Sequence, residues 1–417
     1  MASILTDVAR NTPGAGLKDF EGQIDMRKLR AYRLARVQEQ IKAHDLGAVI
    51  LYDPLNIRYA TGSRQMAVWT LHNACRWAFV PAEGLPIVYE YGKGGAMEAT
   101  AELETVGEVR PSTHAWFYFS ASESIPERVA EWAADVDALV REHCGGVRRV
   151  GFDHLDPAGL RAMDRLGIDV EEGERVMERA RVIKGPEEIQ CMSVSIGVAE
   201  VGMSRLREAL KPGLSENELW SYIANTNNEM GGEWMETRIL STGARTNPWM
   251  REAGERRVRA GELVSFDTDM IGPFGYCADI SRTFFCGPGK PSDEQKDLYK
   301  RAIDQVEHNM ALLKPGLTFK EFIDKSYKLG NEFAANRYGP IHGVGLADEY
   351  PTIPEIQDAH RLSDPNGVVQ ENMTLCVESY MGREGGTEGV KLEHQVLVTE
   401  KGVQLLDTYP WEEDLLA

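Results

Sequence analysis

Six residues stand where their types are costly unless they do chemistry. Asp267 and Asp269 follow the apolar run Leu263–Phe266, and being two apart on a strand they point to one face. Asp279 lies across a turn holding Gly272, Pro273 and Gly275, so a hairpin would bring it opposite them. His342 sits in the glycine-flanked stretch IHGVG. Glu378 ends the strand-like run NMTLCV, and Glu393 lies inside GVKLEHQVLV, where a lone carboxylate is costly to bury. Taken one at a time, each acid reads more readily as a turn or edge residue than as a functional one. Together, five carboxylates and one imidazole facing each other repel unless a cation neutralises them. Oxygen-rich sites with one imidazole suit Mn²⁺, Fe²⁺, Co²⁺ or Zn²⁺. This many carboxylates can bridge two such ions.

The elements that must hold these residues are visible in the patterning. Residues 1–26 lack periodicity and read as an irregular lead-in. From Met26 to Asp45, Leu29, Tyr32, Val37 and Ile41 recur at helical steps. Strands are expected over 48–53, twice within 77–91, and over 147–153, with a helix over 124–142 between them. That alternation predicts an α/β domain over residues 1–180. The stretch RVIKGPEEIQ marks a boundary, with Pro186 suited to a first helical turn and Glu187 and Glu188 favourable at its positive end. Residues 181–417 then read as an α+β domain with an antiparallel sheet. Its helices are expected to about Lys211, over 215–228, near 292–313 and over 318–336. Its strands fall within 236–286 and over 372–382 and 389–400.

Composition narrows the function. A formal net charge of −19 repels phosphate backbones and anionic membrane surfaces. No apolar run approaches the ~18 residues of a membrane span, and the N-terminus lacks a basic start followed by an apolar stretch. The six cysteines form no CxxC pair and read as reduced thiols, mostly in the core. These features predict a soluble cytoplasmic protein with no nucleic-acid or membrane partner.

The run D-T-D-M-I-G-P-F-G-Y-C-A-D-I-S-R-T-F, then H-G-V-G-L, V-E-S-Y-M-G and G-V-K-L-E-H-Q-V-L-V-T-E, resembles the creatinase, prolidase and methionine aminopeptidase superfamily. RVIKGPEEI resembles that family's entry into its catalytic domain. The resemblance covers about residues 181–400, and more weakly the N-terminal half. It implies a pita-bread catalytic domain with a curved antiparallel sheet, preceded by a creatinase-type α/β domain, and a homodimer. By position it implies metal ligands at Asp279, His342, Glu378 and Glu393 with one or both of Asp267 and Asp269.

Three departures from the peptidases of that superfamily matter. Their first two metal aspartates are eleven residues apart, whereas Asp267 and Asp269 lie twelve and ten before Asp279. One extra residue in the hairpin, as in a bulge, would restore the pairing. The region 241–255 has no histidine where the peptidases carry one, and the position seven after His342 is Glu349 rather than histidine. With the metals kept and that acid–base set gone, the scaffold is expected to serve other chemistry. The D-T-D run, the TNPW segment and the loop after His342 are similar to the dimethylsulfoniopropionate lyases of this fold.

That resemblance implies β-elimination to dimethyl sulfide and acrylate, with two divalent ions, iron favoured over Mn, Co or Zn. A base must take the α-proton, and Asp348, six residues past His342, is the candidate. The sulfonium cation calls for aromatic faces. Trp69 and Tyr338 are the first candidates, and Trp77 and Trp249 are further ones. Cys277 and Cys286 read as core. Arg245 and Arg251 read either as steering groups for an anionic substrate or as solvated surface. A prolidase-like or X-Pro aminopeptidase hydrolase, a creatinase-like amidinohydrolase and a non-enzymatic binding protein are the competing expectations.

Overall fold

The computed structural model describes residues 24–92, 94–112 and 121–417. All but the last three residues of the expected lead-in therefore lie outside the described residues. Cα packing divides the chain between Arg181 and Val182 into two compact units.

The first unit is built on a six-stranded mixed sheet. Its strands are β1 Ala48–Leu51, β2 Trp77–Pro81, β3 Ile87–Glu90, β4 Glu108–Pro111, β5 Arg149–Phe152 and β6 Asp169–Glu172, in the spatial order β4-β3-β2-β1-β5-β6. β1 is central and buried throughout, which is why it reads as a continuous apolar run. It pairs antiparallel with β2 and parallel with β5. The helix Met26–Ala43 starts at Asp25, whose carboxylate accepts the Lys28 N–H at 3.1 Å. The helix Ile125–His143 buries Trp132, Val136, Leu139 and Val140 in a core shared with Phe79 and Phe152. Sequence patterning passes over β4 and β6. Both are charged edge strands with no apolar alternation to betray them.

The second unit opens with the helices Pro186–Ala209 and Glu216–Glu229. Pro186 stands in the first turn of one, and a Ser215/Glu218 capping box starts the other. Its strands are β7 Trp234–Met235, β8 Leu240–Thr242, β9 Leu263–Asp267, β10 Met270–Ile271, β11 Cys277–Ala278, β12 Ser281–Phe285, β13 Ile341–Val344, β14 Asp348–Ile353, β15 Thr374–Gly382, β16 Gly389–Thr399 and β17 Gly402–Leu405. They form antiparallel sheets ordered β11-β10-β7, β12-β9-β8 and β14-β13-β15-β16-β17. β12 and β16 are joined by side chains. The Thr283 hydroxyl donates to Lys391 O at 2.9 Å and accepts the Lys391 N–H at 3.0 Å, and Arg282 Nη1 donates to Glu393 O at 2.5 Å. The helix Asp293–Leu312 covers β15 and β16 with Leu298, Tyr299, Ala302 and Val306.

Two expectations are corrected here. The helix expected over 318–336 runs only from Phe319 to Lys325, with a separate 3₁₀ turn at Asn331–Asn336. Beyond Lys325, Ser326 Oγ turns back to Ile323 O at 2.9 Å and the Tyr327 N–H is taken by Asn309 Oδ1 at 3.0 Å, so the helical ladder ends. The second correction concerns the hairpin. Asp267 pairs with Ser281 and Met270 with Ala278, so the register is the same on both sides and no residue is added. The break is local instead. Asp269 takes a left-handed φ of 35°, a region aspartate tolerates better than most residues. The Thr268 hydroxyl fills the gap in the ladder, donating to Ala278 O at 2.6 Å and accepting the Ile280 N–H at 3.0 Å.

Candidate metal centre

The six predicted residues meet on one face of this unit. Asp267 ends β9, Asp269 follows the left-handed kink, and Asp279 stands between β11 and β12. Glu378 and Glu393 are directly opposite each other on β15 and β16, an arrangement that destabilises a sheet when both are charged. His342 is opposite Cys376 on β13 and β15. His342 Nε2 lies 3.4 Å from Asp279 Oδ2, 3.4 Å from Glu378 Oε1 and 3.4 Å from Glu393 Oε1. Its Nδ1 is 3.0 Å from Gly343 O, which fixes the ring. All five carboxylates are buried.

Sequence reading missed the cation already present among them. Lys391 is fully buried, and its Nζ lies 3.2 Å from Asp267 Oδ2, 2.8 Å from Glu378 Oε2 and 3.0 Å from Glu393 Oε2. It also donates to Ser281 Oγ at 2.7 Å, and Ser281 Oγ donates to Glu393 Oε2 at 2.7 Å. The available signal was period two: Lys391 and Glu393 share a strand face, and a lysine inside an apolar strand needs partners. Cys376 was likewise missed. Two residues before Glu378, its Sγ lies 3.6 Å from Asp279 Oδ2.

The electrostatics show that one lysine is not enough. Burial raises the carboxyl groups of Asp267, Asp269 and Asp279, and their acidic neighbours raise them further. Burial pushes Glu378 up to about 8 against the pull of Lys391. Burial opposes the charge of Glu393 too, but Lys391 and His342 hold it well below the usual carboxylate range. Burial works against protonation of Lys391, yet Asp267, Glu378 and Glu393 raise it well above its ordinary value.

Three oxygens carry the test of whether a metal fits. Asp267 Oδ1, Asp279 Oδ1 and Glu393 Oε1 are buried without a hydrogen bond, and a buried acceptor left so is costly. Lys391 and Ser281 occupy the second oxygen of Asp267 and of Glu393. Two groups of ligand atoms lie within 4.8 Å of one another: Asp267, Asp269 and Asp279, and Asp279, His342, Cys376 and Glu393. Carboxylates with one imidazole make a donor set for a divalent transition metal, and the residues fit it.

The remaining candidates are placed as follows. Asp348 opens β14 with its side chain 60% exposed and Oδ1 3.8 Å from His342 Nδ1. Tyr338 is half-buried, packed with Ile239, Trp249 and Tyr380, and its ring centroid lies 5.5 Å from Lys391 Nζ. Trp249 is buried, 5.7 Å from the same ammonium. Two aromatic rings nominated for a substrate cation therefore already face a lysine. Trp77 is corrected to core, buried between Tyr89 and Tyr52 with centroids at 3.8 Å and 6.2 Å. Trp69 belongs to the first unit, in the helix Ala67–His72, with its ring 5.2 Å from Tyr91. Arg245 is paired with buried Glu216 and donates to Glu252 O at 2.9 Å, which ties it to the turn rather than to a ligand. Cys277 and Cys286 are buried.

Residues 190–400 match the metallopeptidase family M24, and residues 33–183 match the creatinase/prolidase N-terminal domain. The chain is 36% identical over 398 residues to a dimethylsulfoniopropionate lyase DddP of Roseovarius nubinhibens, covering 94% of this chain and 88% of that one. It is 35% identical over 400 residues to the DddP of Roseobacter denitrificans, with the same coverage of 94% and 88%. Among solved structures, the prolidase of Thermococcus sibiricus superposes with a TM-score of 0.72 at 22% identity, over 92% of this chain and 98% of that one. That last likeness concerns the fold, and it is the pita-bread arrangement with a creatinase-type N-terminal domain.

Proposed function

The chain belongs to metallopeptidase family M24, and from that membership we propose that it is a lyase cleaving dimethylsulfoniopropionate to dimethyl sulfide and acrylate. One observation carries the reading: 36% identity to a lyase of that name over 94% of the chain. A divalent metal is the family's cofactor, and the oxygens of Asp267, Asp279 and Glu393 left without a hydrogen bond would accept one here. Asp267, Asp269, Asp279, His342, Glu378 and Glu393 would hold it. Two ions are favoured because the two ligand groups share Asp279. With all five carboxylates ionised and His342 neutral, as ligands must be, one buried lysine leaves four negative charges, which two divalent ions would balance. Iron is the favoured metal, with Mn, Co or Zn as alternatives.

In the elimination, Asp348 takes the proton α to the substrate carboxylate. The freed electron pair forms the C=C bond, the C–S bond breaks, and neutral dimethyl sulfide leaves with the bonding pair of that bond. When bound, the metal supplies Lewis-acid stabilisation of the charge that develops on the substrate carboxylate. His342, held through Nδ1 by Gly343 O, stands beside Asp348, 3.8 Å from its Oδ1. The exposure of Asp348 lets its proton return to solvent. Tyr338 brings an aromatic ring beside the site, and it is the face of that ring that would attract the sulfonium group. The same role for Trp69 rests on the sequence, and so does the homodimer. The six cysteines are free and buried, which supports a reducing, cytoplasmic setting.

The test is incubation of purified, metal-analysed protein with dimethylsulfoniopropionate. Metal-dependent dimethyl sulfide with equimolar acrylate is expected. No release from metal-loaded protein, with hydrolysis of an Xaa-Pro dipeptide, would overturn the lyase reading in favour of a prolidase-like hydrolase.

A further inference from the structure

We propose that the buried ion pair between Lys184 and Glu349 is a positioning device that holds Asp348 over His342; the role rests on Asp348 being the base of the proposed elimination. Asp348 and Glu349 are neighbours at the start of β14, so their side chains leave the strand on opposite sides. Asp348 is exposed, whereas the Glu349 and Lys184 side chains are 1% and 2% exposed. Fixing Glu349 beneath the strand therefore fixes the direction of Asp348 above it.

Three bonds do the fixing. Lys184 Nζ donates to Glu349 Oε2 at 2.9 Å. Glu349 Oε1 accepts the Leu346 N–H at 3.0 Å, inside the short turn between β13 and β14. The Cys277 N–H donates to Gly345 O at 2.8 Å, tying that turn to the strand that leads to Asp279. The carboxylate packs so closely on the turn that a Cβ at Gly345 would lie 2.4 Å from Glu349 Oε2. Lys184 is itself anchored, its N–H donating to Asn372 O at 2.9 Å just before β15. The turn carrying Asp348 is thus clamped between the segments that carry Asp279 and Glu378, two of the metal candidates. Burying two charges costs more than packing two apolar groups, so stability alone gives this pair no advantage over a hydrophobic one. Orientation of the neighbouring acid gives it one.

The experiment compares E349Q, E349D and the apolar double variant K184M/E349L, each checked for folding and metal content before assay. E349Q is expected to keep its metal and its KM and to lose about tenfold or more in kcat, the pattern of lost transition-state stabilisation. E349D keeps the charge but withdraws it from the Leu346 N–H, and a smaller loss of kcat is expected. K184M/E349L is expected to regain only part of the thermal stability that E349Q loses, because the Leu346 N–H is left without its acceptor, while its kcat stays low. Wild-type kcat in the folded double variant would overturn the proposal, because a structural pair is replaceable by packing. Should E349Q fail to fold, the double variant decides alone. D348N separates the two readings: if its kcat stays within about tenfold of wild type, the base assignment fails, whatever the pair variants do.

Discussion

At Glu378 and Glu393 two acids face each other across adjacent strands, with an ammonium beside one oxygen of each and Glu393 Oε1 buried without a hydrogen bond. A further cation would close that arrangement with both acids ionised. Asp279→Ala and Glu393→Ala are therefore expected to lose bound metal and activity together, read by elemental analysis beside the lyase assay. Asp348→Asn should keep its metal and lose turnover. Lys391→Met removes the ammonium from three buried carboxylates. Its chelated form should unfold more easily by about 3–5 kcal/mol, with a smaller loss when metal is saturating, measured by urea titration. Trp69→Ala should weaken substrate binding more than Trp69→Phe, and equal KM values would make it a packing residue. The acidic candidates were legible because carboxylates inside strands are costly wherever they occur. Lys391 was harder to read: its place two before Glu393 in an apolar strand signals a buried charge, but its other partners, Asp267 and Glu378, come from two further strands.

At the scale of elements, the long helices and central strands declare themselves through periodicity and caps: Pro186, Ser215 and Ser292 each begin a helix. The hairpin between β9 and β12 could not be read this way. Its two-residue spacing invites a bulge, and the structure uses a threonine hydroxyl and a left-handed aspartate instead. Thr268→Val keeps the shape and strands two buried backbone groups. A loss of ~1–3 kcal/mol for each is expected, together with weaker metal binding through displacement of Asp269. A second element carries a pH signature. Glu355 is buried, accepts Gln305 Nε2 at 2.7 Å through one oxygen and leaves the other without a partner. Burial pushes its carboxyl up to about 7. A raised acid favours the folded state below its unfolded value and loses that contribution as pH rises through about 7. Glu355→Gln should therefore gain on wild type by roughly 3 kcal/mol between pH 4.5 and 8, read by denaturant unfolding at several pH values.

For the molecule as a whole, the metal centre and the stability of residues 182–417 are one problem. Three strands of one sheet and a hairpin from others converge on it, and all their acids are buried. Metal that binds only the folded state at about a hundred times its Kd adds ~2.7 kcal/mol. Chelation is expected to lower Tm by roughly 5–10 °C for a unit of this size, with recovery on adding back divalent ion. A Tm indifferent to chelator would mean that Lys391 alone satisfies the carboxylates. The sequence by itself determined the two-domain plan, the antiparallel class of the second domain, the six candidate ligands and the departure from peptidase chemistry at Glu349. The first three follow from residue type and short spacing, which are local properties, and the last from the resemblance to the family's motif. The tertiary structure alone decided what sits among the ligands, how Asp267 and Asp269 reach the same centre without a register shift, and what Glu349 does. Those outcomes depend on contacts between residues as far apart as Lys184 and Glu349, 165 positions in the chain. No local pattern encodes which buried charge will find which partner.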